Sequence, residues 1–332
     1  MDSLTQIVLG AAVGEAILGR NIGNKAMLYG AIAGTIPDLD VLASHFTDTV
    51  TALEIHRSFT HSLLFSLIFA PIFAFIVSKF EKYKSIKNWT LFFFFTFVTH
   101  PILDAQTTWG TQFFWPFEIR LAFKNVFVVD PLYTLPFLLF LILAMFQKRT
   151  SKKRRFYNNC GLIISCSYLI LTLILKGISY QIFTKELAEQ KITYSEIKTK
   201  PSPLNTILWT ANVETQDAFL IGNSSFFDKN PIHFSSYLKN HHLLGGLANH
   251  PKTKRMISIS KGWFTINQKD NQLYFNDLRF GTLSLQPNAQ NFVFKYKIEI
   301  DEKGIPYFIE EKKEKRDAKK LMRELWGRIW GN

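Results

Sequence analysis

The chain has 332 residues, enough for two domains, with hydrophobic and charged fractions of 47% and 20% and a formal net charge of +13. Its two cysteines, Cys160 and Cys166, lie inside one apolar run, which excludes a disulfide framework and a cysteine-based metal centre. The basic excess sits in short loops between apolar segments, a placement that membrane topology explains, and no nucleic-acid recognition motif accompanies it.

In chain order, Met1-Asp2-Ser3 lacks the basic start of a cleavable leader. Ile7 to Leu18 and Ala26 to Ile36 are apolar and rich in Gly and Ala, and at about 12 residues each they are too short to cross a ~30 Å hydrocarbon core. Gly10, Gly14, Gly30 and Gly34 allow close helix approach, so the pair reads as a helical hairpin, buried in a bundle or re-entrant, with Arg20, Asn21, Asn24 and Lys25 at its turn. Its second arm ends at Pro37-Asp38-Leu39-Asp40, and residues 41–55 read as a loop or short helix. His56-Arg57-Ser58-Phe59-Thr60-His61 opens the run Ser62 to Ser78, a membrane helix followed by a basic loop with Lys79, Lys82, Lys84 and Lys87. Trp89 to Leu103 is the second, rich in phenylalanine and closing on His100-Pro101-Ile102-Leu103-Asp104. A polar and aromatic connection, including Thr107 and Thr108, leads to Asp130. Pro131 to Phe146 and Asn159 to Ser179 are the third and fourth membrane helices, and Lys148, Arg149, Lys152, Lys153, Arg154 and Arg155 lie between them.

Both basic loops fall at one end of an up-down bundle, which the positive-inside rule places in the cytoplasm. Asp38, Asp40, His56, His61, His100 and Asp104 then meet at the opposite rim. His100 and Asp104 are one helical turn apart and share a face. An ionisable pair closing so apolar a helix points to a functional site, against the plainer alternative of a hydrogen bond that pins a loop. His56 and His61 are about 140° apart on a regular helix, so His56 is expected to precede the helix and fold back, with Ser58 or Thr60 as the cap. Three imidazoles and three carboxylates suit Zn²⁺, Mn²⁺ or Fe²⁺ rather than Ca²⁺, and six donors suffice for one or two ions. A two-metal site can activate water and stabilise both oxygens of a phosphoester displacement. Arg57 has the planar fork for an anionic substrate group, or is an ordinary charge at the membrane interface. Thr107 and Thr108 are the remaining candidates for substrate contact. Asp130 reads as the start of a helix or as a further member of the site, His45 as a surface residue, and His233, His241, His242 and His250 have no ligand-like spacing.

After Tyr180 the pattern changes. Asn205 to Val213, Ala218 to Gly222, Met256 to Gln268, Leu273 to Leu285 and Phe292 to Ile300 read as strands of an antiparallel sheet. A charged stretch from Glu310 to Lys320 leads into a final amphipathic helix. Its apolar face, Leu321, Met322, Leu325, Trp326, Ile329 and Trp330, suits either the membrane interface or a packed core. The expected fold is therefore an α-helical multi-pass membrane domain, residues 1–182, followed by a smaller extracytoplasmic β-rich (α+β) domain, residues 183–332.

Met1-Asp2-Ser3-Leu4-Thr5, Gly10-Ala11, Gly34 with Pro37-Asp38-Leu39-Asp40, His56-Arg57 with Thr60-His61-Ser62, and His100 with Leu103-Asp104 together resemble the YdjM-like (LexA-regulated) bacterial inner-membrane proteins. The resemblance covers roughly residues 1–180 and implies a metal-dependent hydrolase of the cytoplasmic (inner) membrane. A more distant likeness, in helical form and His/Asp ligand use, is to the zinc-dependent phospholipase C and P1 nuclease group, and implies phosphoester chemistry. The family usually carries His where this chain has Gln6, which alters one metal position or leaves it to water. The expected function is a membrane-embedded hydrolase that uses metal-activated water on a phosphoester or lipid-like substrate at the outer face of the bilayer. The alternative is a non-enzymatic membrane protein with a structural His/Asp or metal site and a partner-binding outer domain. Membrane lipid and an amphiphilic small molecule are the expected partners, nucleic acid is not, and the oligomeric state is open.

Overall fold

The computed structural model describes residues 1–311 and 318–331. The helices in chain order are α1 (Ser3–Ile22), α2 (Asn24–Thr35), α3 (Thr49–Ile55), α4 (Leu63–Phe80), α5 (Ile86–Asp104), α6 (Pro131–Met145), α7 (Lys152–Glu189), α8 (Pro251–Ile259) and α9 (Ala318–Ile329), with a 3₁₀ stretch Pro37–His45 after α2. The chain divides into two compact units. One comprises Met1–Leu42, Ile55–Ile174 and Pro203–Asn205, the other Ala43–Glu54, Leu175–Ser202 and Thr206–Asn332.

In the first unit α1 and α2 form the expected hairpin, turning at Gly23 with φ +63°. α1 is longer than the apolar run suggested, with 20 residues, because Asp2 caps it by accepting from the Thr5 amide and pairing with the Thr5 hydroxyl. The arms touch backbone to backbone at Gly10 and Gly30, where a Cβ on either would collide with the other's carbonyl. α4 and α7 are long and apolar enough to cross a membrane. α2 with the 3₁₀ stretch, bent by 41°, makes a third candidate. Leu67, Ile68, Ile72, Phe75 and Ile76 leave α4 with an exposed apolar face, as a lipid-facing helix requires. The other two expected membrane helices differ. α6 has only 15 residues, below the ~20 needed to span. α5 buries Trp89, Phe92, Phe93 and Phe97 against Phe65 and the alanines of α4, while Leu91, Phe95 and Ile102 stay exposed, so only part of its apolar surface builds the core.

In the second unit the strands are β1 (Glu196–Pro201), β2 (Leu208–Glu214), β3 (Ala218–Ser225), β4 (Phe234–Leu238), β5 (Phe264–Lys269), β6 (Gln272–Thr282), β7 (Phe292–Ile300) and β8 (Pro306–Glu310). They form two four-stranded antiparallel sheets, β1-β2-β3-β4 and β5-β6-β7-β8, instead of one. Phe219, Ile221 and Tyr237 of the first pack with Trp263, Leu278 and Phe292 beside the second, and Asn212 donates to the Leu278 carbonyl at 2.6 Å. The segment 256–268, expected as a strand, begins as α8, which His250 caps by accepting from the Lys252 amide ahead of Pro251. α9 divides its apolar face. Leu325 and Ile329 are buried while Met322, Trp326 and Trp330 stay exposed, with Trp330 stacked on Phe227 and Arg328 paired with Asp228. Of the charged stretch Glu310 to Lys320, residues 312–317 lie outside the described residues.

Candidate metal centre

The site is assembled within the first unit from three places in the chain. Pro37 starts the 3₁₀ stretch that carries Asp38 and Asp40. His61 ends a short 3₁₀ turn just before α4, and the cap of α4 is Ser62, which accepts from the Phe65 amide at 3.0 Å. Ser58 makes no cap bond and the Thr60 hydroxyl is directed to Asp40, so neither takes the expected capping role. His100 and Asp104 project from the last turns of α5.

Asp38, His61, His100 and Asp104 each offer a donor atom, and all four atoms lie within 4.8 Å of one another. His61 Nε2 and His100 Nε2 are 3.1 Å apart, and His61 Nε2 stands 3.3 Å from Asp38 Oδ1 and 3.4 Å from Asp104 Oδ2. His100 Nε2 is 3.5 Å and 3.8 Å from the same two oxygens. Bonds of 2.0–2.2 Å arranged tetrahedrally place ligand atoms about 3.3–3.6 Å apart; three of these five spacings fall in that range and those of 3.1 and 3.8 Å lie just outside it, so the four residues could hold one ion. Asp104 Oδ2 is fully buried and makes no well-aligned hydrogen bond, and its ion-pair partner is the Arg57 guanidinium, with Nε 2.9 Å away.

The surrounding bonds fix the donors. His100 Nδ1 meets the Gly34 carbonyl at 2.7 Å, which makes Nδ1 the donor and leaves the Nε2 lone pair facing the cluster. His61 Nδ1 is 3.0 Å from Thr60 Oγ1 and 3.3 Å from Asp40 Oδ2. Asp40 also accepts from the Arg57 amide at 2.7 Å and pairs with His56 Nδ1 at 3.0 Å, so it stands behind His61, with His56 behind it. Arg57 holds a positive φ of 58°, rare for a side-chain-bearing residue, and that bend lets its amide reach Asp40 while its guanidinium reaches Asp104 and Thr107. Thr107 in turn donates to the Asp104 carbonyl at 2.7 Å. Gln6 Nε2 donates to Asp104 Oδ1 at 2.9 Å and to the His100 carbonyl at 3.3 Å, and the Met1 amino group also binds Asp104 Oδ1.

His61 lies outside the membrane helices. Burial alone would lower its pKa, but the carboxylates of Asp104, Asp38 and Asp40 push it up to about 9.

Of the residues expected at the site, Asp38, His61, His100 and Asp104 converge on one point, and Asp40, His56, Arg57 and Thr107 surround them. Thr108 is half-buried and forms no hydrogen bond to the cluster among the described residues. Asp130 caps α6 and accepts from the Tyr168 hydroxyl at 2.8 Å. His45 is exposed, and His241 stacks on Phe264 in the other unit. The Gly34 carbonyl was not anticipated as a partner of His100. Its only signal was the small residue at a close approach of α2 to α1, where a Cβ would meet the Gln6 carbonyl oxygen at 2.7 Å.

A helical unit with membrane-length apolar helices and a buried His/Asp cluster defines a membrane protein with a possible metal-binding site. The chain belongs to the YdjM inner membrane protein family, which matches residues 1–182. It is similar to Inner membrane protein YbcI of Escherichia coli (strain K12), with 28% identity over 117 residues that cover 35% of this chain and 67% of that protein. No solved structure matches it.

Proposed function

We propose that the chain is a membrane-embedded, metal-dependent hydrolase acting on a phosphoester or lipid-like substrate. One divalent ion of the zinc, manganese or iron kind would be held by Asp38, His61, His100 and Asp104. The observation that carries this reading is the mutual spacing of the four donor atoms, all within 4.8 Å. When bound, such an ion supplies Lewis acidity and a water activated near neutral pH. The chain's own residues do the positioning. Asp40 and Thr60 orient His61, the Gly34 carbonyl orients His100, and Arg57 with Gln6 fixes the Asp104 carboxylate. Asp38, with its side chain 24% exposed, is the least buried of the four and marks the side from which water and substrate reach them. The distribution of basic loops supports a multi-pass arrangement in the inner membrane with the site and the sheet-rich residues extracytoplasmic.

One observation favours a second reading. Four protein donors around one point make a closed set, which is the habit of structural ions, whereas catalytic sites keep a position open. On that reading the ion ties α5 to the 3₁₀ stretch, and the chain is not an enzyme. The test is turnover of p-nitrophenyl phosphorylcholine and of phosphatidylglycerol micelles by the full chain in detergent, supplied with Zn²⁺, Mn²⁺ or Fe²⁺. The expected result is metal-dependent hydrolysis that falls on the order of a hundredfold or more in Asp38→Ala at unchanged melting temperature. Bound metal with no turnover, and a melting temperature that drops on chelation, would establish the structural reading instead.

A further inference from the structure

At the opposite end of α1 from the His/Asp cluster, a cavity of about 570 Å³ opens among Arg20, Arg149, Arg154 and Arg155, with Glu15 and Asn158. The volume lies within the range of small-molecule sites. Its base is rigid. Arg154 is 2% exposed, donates through Nε and Nη2 to the Glu15 carboxylate at 2.6 and 2.5 Å, and donates through Nη1 to Asn24 Oδ1 at 2.7 Å and the Gln147 carbonyl at 3.1 Å. Glu15 is the one carboxylate among the lining residues, and Arg154 takes both of its oxygens. Arg149 donates to the Asn21 carbonyl at 3.2 Å, and none of Arg20, Arg149 and Arg155 forms an ion pair among the described residues. Three guanidinium charges thus border one cavity without a counter-charge.

We infer that this cavity binds the phosphate group of an anionic phospholipid. Guanidinium forks match the oxygens of a phosphate in planar, bidentate fashion, which makes arginine the residue suited to this ligand. Ala16 and Ile17 add an apolar edge to the lining. Arg149 lies in the connection between two apolar helices, α6 and the membrane-length α7, Arg154 and Arg155 lie in the first turn of α7, and Arg20 lies in the last turn of α1; basic pockets at such helix ends are where lipid head groups bind. Free inorganic phosphate shares the chemistry but has no use for the apolar edge. This site is independent of the metal reading, since none of its residues touches the His/Asp cluster.

The test is native mass spectrometry of the full chain released from zwitterionic detergent with added phosphatidylglycerol, phosphatidylcholine or inorganic phosphate. The wild type is expected to retain phosphatidylglycerol and not phosphatidylcholine. The triple variant Arg20→Gln, Arg149→Gln, Arg155→Gln is expected to lose affinity on the order of a hundredfold, while its Glu15–Arg154 pair keeps the fold and melting temperature intact. Lys152→Gln with Lys153→Gln, which removes two charges beside the cavity but not in its lining, is expected to retain the lipid. Equal loss in the triple variant and the lysine control would show diffuse attraction and overturn the site, as would equal retention of phosphatidylcholine. Inorganic phosphate that binds alone and displaces the lipid would overturn the lipid assignment in favour of the free anion.

Discussion

Two groups of buried polar residues flank α1, and they solve burial in opposite ways. Toward its end, Glu15 and Arg154 neutralise each other through two short hydrogen bonds, and Asn24 and a backbone carbonyl complete the guanidinium. Near its start, Asp38, His61, His100 and Asp104 turn donor atoms toward one another; Asp40, the Gly34 carbonyl and Gln6 hold outer atoms of His61, His100 and Asp104, and Arg57 reaches the inner oxygen of Asp104 itself. A pair that closes on itself needs nothing further. A set that points its donor atoms inward could hold a cation at the centre.

The comparison can be broken by mutation at either end. The largest effect is expected for Glu15→Ala, which strands a buried guanidinium and should cost about 3–5 kcal/mol in thermal or denaturant unfolding, while the folded fraction keeps its metal. Asp40→Ala removes the carboxylate behind His61 and leaves the four donors in place. Chelator competition should then show metal affinity weakened about 10–100-fold with the fold retained. Ser62→Ala deletes the cap of α4 beside His61 and should lower stability by about 1 kcal/mol with little change in bound metal. The smallest change is expected for Lys25→Ala. The Lys25–Glu81 pair is 2.8 Å long but the lysine is 61% exposed, so unfolding should shift by less than about 1 kcal/mol.

The helical unit was readable because polar residues stand out against apolar runs. Asp38, His61, His100 and Asp104 could be named from the sequence since nothing in a phenylalanine-rich or Gly/Ala-rich segment disguises them. Their division of labour was not readable. Asp40 and Asp38 look alike in Pro37-Asp38-Leu39-Asp40, and only the fold turns one toward the ion position and the other to His56 and the Arg57 amide. The α4 cap was misplaced because Ser58, Thr60 and Ser62 are all good cap residues, and tertiary bonds to Asp40 decided among them. In the second unit the missed strands β1, β4 and β8 are all edge strands, two of them only five residues long, which leaves little sequence to carry a strand pattern. Only the end of α8, residues 256–259, overlaps the expected strand, because the β-branched isoleucines at 257 and 259 suit one.

The central claim is that the inward-facing donors hold an ion, and metal content tests it most directly. Elemental mass spectrometry on the full chain purified in detergent, with Asp38→Ala and His100→Ala alongside, is expected to find about one Zn, Mn or Fe per chain in the wild type. The folded variants should hold little or none. A wild type that holds no transition metal after refilling, or variants that keep all of it, would contradict the account and leave the cluster as a hydrogen-bonded His/Asp network.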